Sequence, residues 1–302
     1  MKRFFLMSTL LLVALLAGAQ TKVAPKMAKG MKKTYASEAT IKNATQKPLK
    51  ISTQTIFEVT DATPDGYVID ALITDVKHDA DQSDMKERIV TMSTEMLKGI
   101  HTTYATDKEG KVTKILNYDE IKEKTMSSID NMLDQIPMDS EEAKTMMGNV
   151  KEMIREQVIN KLTEESMVES LQANTSPLAL NGKTITTGTE EEFKNDMGIK
   201  MKRTYTVKDK KTILSSAVIN MSAEDMKQMM YNLLEKLMPG VKMTDEIKKG
   251  MESMLGKVKI EAKEETAYTL KDDGWVDTIT SEGSASSMGQ GSVINTKVWL
   301  VK

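Results

Sequence analysis

Hydrophobic and polar residues alternate along many stretches of this chain, as they do in antiparallel strands with one buried face. In the clearest stretch, Leu49, Ile51, Phe57 and Val59 fall on one side and mostly polar residues on the other. The Thr63-Pro64-Asp65-Gly66 segment that follows has the composition of a tight turn. We predict a hairpin over 101–118 and strands at 33–41, 49–59, 67–76, 184–193, 199–208, 212–221, 258–270, 275–280 and 293–301.

Other stretches repeat apolar residues every three or four positions, which is the spacing of an amphipathic helix. Many of these apolar residues are methionines, of which the chain has 25. A helical region is predicted over 119–172, broken at Pro137, because proline removes a backbone donor. Further helices are predicted at 83–98, 222–238 and 244–255.

Strands and amphipathic helices together predict an α+β fold. We expect long, curved antiparallel β-sheets packed against Met-rich amphipathic helices, with the methionines filling the core. Methionine also suits a groove that accepts variable apolar shapes. Copper(I) binding through the thioethers is a third interpretation, but the methionines follow helical spacing and do not cluster with histidine.

The N-terminus has the features of a secretory signal peptide. Lys2 and Arg3 precede an apolar run, and small residues end at Ala19, after which we expect cleavage. Residues 20–32 are predicted to be a flexible lead-in, and 33–302 a single α+β domain. No later stretch is long and apolar enough for a transmembrane helix. We therefore expect a periplasmic or secreted protein.

Two short sequence echoes suggest half-repeats over 33–118 and 199–302, joined by the helical region 119–172. Residues 31–35 (MKKTY) resemble residues 201–205 (MKRTY). The second echo is a hairpin pattern with identical internal spacing: Tyr104, Gly110, Val112 and Ile115 recur as Tyr268, Gly274, Val276 and Ile279. Hairpin geometry alone favours these residue types, so duplication and convergence both stay open.

Composition excludes several classes of function. The net charge is -2 with no concentrated basic face, so we expect no nucleic-acid binding. The absence of cysteine excludes disulfides, thiolate metal sites and cysteine nucleophiles. His78, followed by Asp79 and Asp81, is more consistent with a solvated turn than with a metal site. The run 281–292 is predicted to be a mobile hairpin loop.

No catalytic motif is present among the signatures of metalloproteases, serine hydrolases, nucleotide-binding loops or Rossmann folds. Ser83-x-x-Lys86 matches one element of penicillin-recognising enzymes but lacks the two companion elements. We therefore expect no enzyme activity, no cofactor and no metal.

Several short segments together point to a known group of proteins. They are the Ala-Gly-Ala-Gln end of the leader, the early strand at 29–35, the strand entry 65–68, the hairpin 110–120 and the mid-chain segment 177–183. In these segments the chain resembles an uncharacterised family of Gram-negative exported proteins, classed as a domain of unknown function. The resemblance implies export and brings no catalytic residues.

The predicted function is a non-catalytic cell-envelope binding or carrier protein for an apolar or lipid-like ligand. Its architecture would then resemble periplasmic lipoprotein carriers, in which a curved sheet embraces helices. The alternative is a structural or interaction protein of the periplasm that has a filled core and an envelope protein partner, and that works through a surface or edge strand such as 293–301. The side chains predicted to line an apolar groove are Met146, Met153, Met226, Met230 and Met251.

Overall fold

The computed structural model of the chain describes residues 20–43, 47–81, 95–96, 98–134, 155, 158–160, 162–194, 200–220, 227, 260–287 and 290–301. The strands in this part of the chain are β1 (Thr21–Lys22), β2 (Lys32–Asn43), β3 (Leu49–Thr63), β4 (Gly66–His78), β5 (His101–Asp107), β6 (Val112–Ile115), β7 (Thr184–Ile185), β8 (Glu190–Lys194), β9 (Lys200–Val207), β10 (Thr212–Ile219), β11 (Ile260–Leu270), β12 (Val276–Ser287) and β13 (Gln290–Leu300).

Eleven of these strands form one antiparallel sheet in the order β6-β5-β4-β3-β2-β13-β12-β11-β10-β9-β8. The short strands β1 and β7 pair separately. The described ranges also contain the helices α1 (Tyr118–Asp134) and α2 (Glu164–Leu171). Neither has the length and apolar character needed to cross a bilayer.

The prediction of an α+β fold is wrong, because the protein is mostly β with one large sheet. The core is built from strand side chains that alternate inward, such as Tyr104, Ile213 and Ile279. Helix α1 buries Ile121 and Ile129, whereas Met126 is half-buried. Among the methionines that the structure describes, Met201 on strand β9 is the one that is fully buried. In the part of the chain that the structure describes, the helices therefore do not form a second layer of comparable size.

The sheet curves around a turn-rich segment, residues 172–183, and this explains how its face becomes buried without a helical layer. Asn181 donates to the carbonyl of Gly110 beside β5, and Asn174 donates to Thr266 on β11. Those strands lie six positions apart, about 29 Å in a flat sheet. A run of turns between residues 174 and 181 does not reach that far, so the two sides of the sheet approach each other. Leu178 and Leu180 fill the space between them, fully buried.

One end of the curved sheet is closed by residues 20–31, which belong to the segment predicted to be a flexible lead-in. Val23 is buried and exchanges backbone hydrogen bonds with the Gly182–Lys183 region. The indole N–H of Trp275 donates to the carbonyl of Lys26 at 3.0 Å. Residues 20–31 are therefore packed against the hairpin turns at this end.

The two hairpins that share a sequence pattern also share their geometry. Tyr104 pairs with Ile115, and Tyr268 pairs with Ile279, and all four side chains are buried. Both hairpins have a register shift two residues after the tyrosine and a glycine with φ near +80° in the turn, Gly110 or Gly274. A side chain is strained at such a φ, and at Gly274 it would also meet the carbonyl oxygen of Ala24 at 2.9 Å.

The equivalence extends across the sheet. The row Val59, Ile69, Tyr104, Ile115 corresponds strand by strand to Val207, Ile213, Tyr268, Ile279. On this alignment β3 corresponds to β9. The echo between residues 31–35, at the start of β2, and residues 201–205 of β9 therefore joins non-equivalent strands. Duplication of the two halves stays a prediction.

The C-terminal region differs from the predictions in two respects. Strand β13 is not at an edge, because it pairs with β12 on one side and β2 on the other. Most of the predicted loop 281–292 is strand, since β12 runs to Ser287 and β13 begins at Gln290. The residues there are mostly serine, glycine and alanine, so they show no alternation of hydrophobic and polar positions. They form strands because β12 and β13 each pair with a long strand on both sides.

Candidate functional site

The residues predicted to line an apolar groove, Met146, Met153, Met226, Met230 and Met251, all lie outside the described residues. The predicted helices at 222–238 and 244–255 fall outside as well, apart from residue 227. What the structure does describe is the sheet whose strands β10 and β11 precede and follow residues 221–259.

A groove of about 830 Å³ lies on the sheet face opposite the core, across β2 and β9–β13. A twisted sheet is saddle-shaped, so a face that is convex in one direction is concave in another. We call this site the outer groove. It is lined by Glu38, Thr40, Thr204, Thr206, Leu214, Ser215, Ser216, Glu265, Thr266, Ala267, Thr280, Ser281, Glu282, Asn295, Thr296 and Lys297.

Strand pairing arranges the outward-facing side chains of the outer groove in two parallel rows. The first row runs Thr206, Leu214, Ala267, Thr280, Lys297, Glu38. The second row runs Thr204, Ser216, Glu265, Glu282, Asn295, Thr40. Short side chains such as Ala267 and Thr280 keep the floor low, and longer charged ones stand along it.

The outer groove is acidic, because three glutamates face one lysine. Glu265 and Glu282 stand directly opposite each other on β11 and β12, and like charges in that arrangement are destabilising. Lys263 pairs with Glu265 at 2.5 Å along the same strand. The ammonium of Lys297 lies 5.5 Å from the centre of the Trp299 ring. Trp299 lies beyond the first row, so the ammonium is turned away from the glutamates of the second row. Neither Glu38 nor Glu282 has an ion-pair partner among the described residues.

On the inner face, a second polar cluster fastens the turn-rich segment to the sheet. The side-chain amide of Asn174 donates to Glu264 and to Thr266, in each case at 2.7 Å. The hydroxyl of Tyr268 donates to the backbone carbonyl of Asn174 at 2.9 Å and contacts its side-chain oxygen. These bonds satisfy polar groups that are buried, since Asn174 is 8% exposed.

The same cluster continues to an ion-pair network around Glu191. Its carboxylate accepts from the Lys183 ammonium at 3.0 Å and from the Tyr205 hydroxyl at 2.7 Å. Arg203, whose side chain is 7% exposed, approaches Glu191 at 3.4 Å and Glu264 at 3.6 Å. Its Nε has no hydrogen-bond acceptor among the described residues. Two cations and two carboxylates balance, so the network holds the segment and has no excess charge for a ligand.

Burial and pairing set the pKa values in this network. Burial alone would raise the pKa of Glu191, but Lys183 and the hydrogen bond from Tyr205 lower it overall. Burial lowers the pKa of Lys183, although Glu191 opposes the shift. Burial also raises the pKa of Tyr205. At neutral pH the Tyr205 hydroxyl is therefore a neutral donor and the Glu191 carboxylate a charged acceptor.

Each histidine lies beside one carboxylate. His78 Nε2 is 3.1 Å from Glu95 Oε1, and His101 Nδ1 is 2.7 Å from Asp70 Oδ2. Within the described ranges, no three side chains of the metal-binding types gather into a site. The second ring nitrogen of His78, Nδ1, accepts the backbone N–H of Ala80 at 3.4 Å.

Sequence reasoning missed the outer groove. The outward positions of its strands carry Thr, Ser and Glu, which reads locally as a solvated face. Which strands lie side by side is a long-range property, so the two rows become visible only once the sheet order is known.

No protein-family model matches the chain, and no curated protein matches it. It is similar to a solved structure concerned with lipid–protein interactions in lipovitellin, at 8% identity and a TM-score of 0.39, over 92% of this chain and 26% of that chain. It is also similar to a porin-like protein from Bacteroides uniformis, at 9% identity and a TM-score of 0.19, over 89% of this chain and 95% of that chain. The chain spans about a quarter of the lipovitellin chain. At these scores neither likeness assigns the fold or the function.

Proposed function

We propose that this chain is a non-catalytic binding protein of the cell envelope and that the outer groove is its binding site. The envelope location rests on the signal-like residues 1–19. The binding site rests on the groove itself.

The observation that carries the proposal is a groove of ligand size built on a preordered surface. Its volume, about 830 Å³, falls in the range of about 300–1,000 Å³ typical of ligand sites. Its lining side chains stand on six neighbouring hydrogen-bonded strands. Side chains on paired strands are held in place before a ligand arrives, which reduces the entropy lost on binding.

The lining favours binding over catalysis. It offers hydroxyls, carboxylates, one amide and one ammonium, but no histidine and no aromatic ring. Paired carboxylates such as Glu265 and Glu282 can serve glycoside hydrolysis, yet that chemistry uses a cleft that encloses and distorts the sugar. Here the two carboxylates are exposed on an open face.

The lining also bears on the kind of ligand. Apart from Leu214 and Ala267 the lining residues have polar side chains, but apolar atoms make up more than half of the exposed surface of the groove. The outer groove therefore suits a ligand that carries polar groups on an apolar frame. The apolar space inside the curved sheet is already occupied by Leu178 and Leu180. An apolar or lipid-like ligand at the predicted methionine groove stays a separate prediction.

A single-cysteine label tests the proposal, since the natural chain has no cysteine. Thr280→Cys places an environment-sensitive fluorophore in the outer groove, and Thr113→Cys places the same label at an exposed position of strand β6 outside it. Each labelled protein is titrated with a lysine-rich peptide, a neutral peptide, a neutral oligosaccharide and zwitterionic phospholipid vesicles. We expect at least one probe to give a saturable response at position 280 with little response at 113. Absence of any saturable response at position 280, or equal responses at both positions, contradicts the proposal.

A further inference from the structure

The dimensions of the outer groove define the shape of what it accepts. Its two rows cross six strands, which at the usual strand spacing extend about 24 Å. An extended polypeptide of about seven residues has that length. The floor of the first row, with Ala267 and Thr280 at its centre, is low enough for a backbone to approach the sheet closely.

The charge of the outer groove defines what that chain carries. Glu265 and Glu282 oppose each other in the second row, so a cation placed between them relieves their repulsion. Lys297 does not perform this role, because its ammonium lies over the Trp299 ring. Lys263 contacts Glu265, and Glu282 lacks an ion-pair partner among the described residues.

Other occupants fit less well. Nucleic acid and anionic lipid headgroups would place phosphates against the three glutamates, which is repulsive. A caged metal ion needs several converging ligands, and the described residues contain no such group. A polypeptide with spaced basic side chains matches both the length and the charge.

We infer that the outer groove docks an extended polypeptide segment that presents lysine or arginine side chains to Glu265 and Glu282. This inference rests on the proposed function, since it names the ligand class of the same groove. Affinity comes from close packing along the first row, and selection for basic segments comes from the carboxylates of the second.

Isothermal titration with a capped lysine–serine heptapeptide, in which the two residues alternate, tests the inference. The double variant Glu265→Gln/Glu282→Gln removes the opposed charges and keeps the side-chain size. The matched control, Glu165→Gln/Glu169→Gln, makes the same charge change on exposed positions of α2, away from the groove. A second peptide replaces each lysine with glutamine.

We expect the groove variant to weaken binding of the lysine peptide about 5- to 30-fold, which corresponds to two exposed ion pairs, and the control to change it less than about 2-fold. Raising the salt from about 50 mM to about 500 mM should weaken binding to the natural chain in the same direction. The glutamine peptide should bind more weakly than the lysine peptide.

Two outcomes overturn the inference. One is the absence of lysine-peptide binding, and the other is equal affinity of the natural chain, the groove variant and the control. If the glutamine peptide binds as tightly and still alters the label at position 280, the inference fails while the proposed function stands. If no probe alters that label, the proposed function fails as well.

Discussion

The two equivalent tyrosines of the sheet should respond in opposite ways to the loss of their hydroxyls. Tyr104 and Tyr268 are both fully buried and occupy corresponding positions of the two hairpins. The hydroxyl of Tyr268 is bonded to Asn174, whereas that of Tyr104 has no hydrogen-bond partner among the described residues. The substitutions Tyr268→Phe and Tyr104→Phe thus make one chemical change in two different environments.

The magnitudes follow from the cost of unpaired buried polar groups. Tyr268→Phe leaves the buried carbonyl of Asn174 without its donor, which should destabilise the protein by about 1–3 kcal/mol. Tyr104→Phe removes a buried hydroxyl that is unpaired, so its effect should lie between no change and a gain of about 2 kcal/mol. Effects on the unfolded chain largely cancel, because both variants lose the same atom.

Urea unfolding followed by tryptophan fluorescence measures this difference in the free energy of unfolding. The two tryptophans, Trp275 and Trp299, lie on or beside the sheet and report its loss. We expect Tyr104→Phe to be at least about 1 kcal/mol more stable than Tyr268→Phe. Equal losses in the two variants, or a larger loss for Tyr104→Phe, would refute the hydrogen-bond assignment.

Three further predictions follow. Burial raises the pKa of four tyrosines above their ordinary value of 10.0. Above pH 10 the unfolded chain therefore loses protons that the folded one keeps, and stability should fall by about 1.4 kcal/mol per pH unit for each. The chain has seven tyrosines, so tyrosinate absorbance from more than three of them before unfolding contradicts this. Glu191 has a lowered pKa, so its contribution is present above about 4.5 and is lost as the pH falls through the folded value. Glu191→Gln should destabilise the protein by about 1 kcal/mol at neutral pH, a value reduced for solvent screening because the side chain is 36% exposed. The variant should also lose less stability than the natural chain as the pH falls. An unchanged dependence of stability on pH contradicts the assignment of this contribution to Glu191. Glu164 accepts a hydrogen bond from the backbone N–H of Ile115, on the edge strand β6, at 3.1 Å. Glu164→Ala should therefore lower the free energy of unfolding in urea by about 1 kcal/mol, and Glu164→Gln, which keeps an acceptor, should lower it less. Equal losses would exclude the hydrogen bond as the cause.

Local sequence signals predicted the strands well. Alternation over 49–59 and the turn at 63–66 both appear where they were expected, in β3 and at the start of β4. The hairpin turns at Gly110 and Gly274 follow from the need for positive φ. These features depend on a few neighbouring residues, so they can be read without knowing the fold.

Long-range features could not be read in the same way. The methionine stripes predicted a large helical layer, yet the core forms from inward strand residues because the sheet curves around Leu178 and Leu180. Strand β13 was expected at an edge but lies at the centre, since nothing local in 293–301 indicates its neighbours. The outer groove arises from the order of six strands, and its polar residues carry no periodic signal of their own.

The central claim is that a ligand occupies the outer groove, and filling its floor tests this most directly. Ala267→Trp places a large side chain at the centre of the first row. Ala105→Trp makes the same change at a comparably half-exposed, outward-facing position of β5 outside the groove. With both variants folded, we predict that titration with the lysine–serine heptapeptide shows at least about a tenfold loss of affinity, about 1.4 kcal/mol, for Ala267→Trp and none for Ala105→Trp. Undiminished affinity in Ala267→Trp would contradict the account.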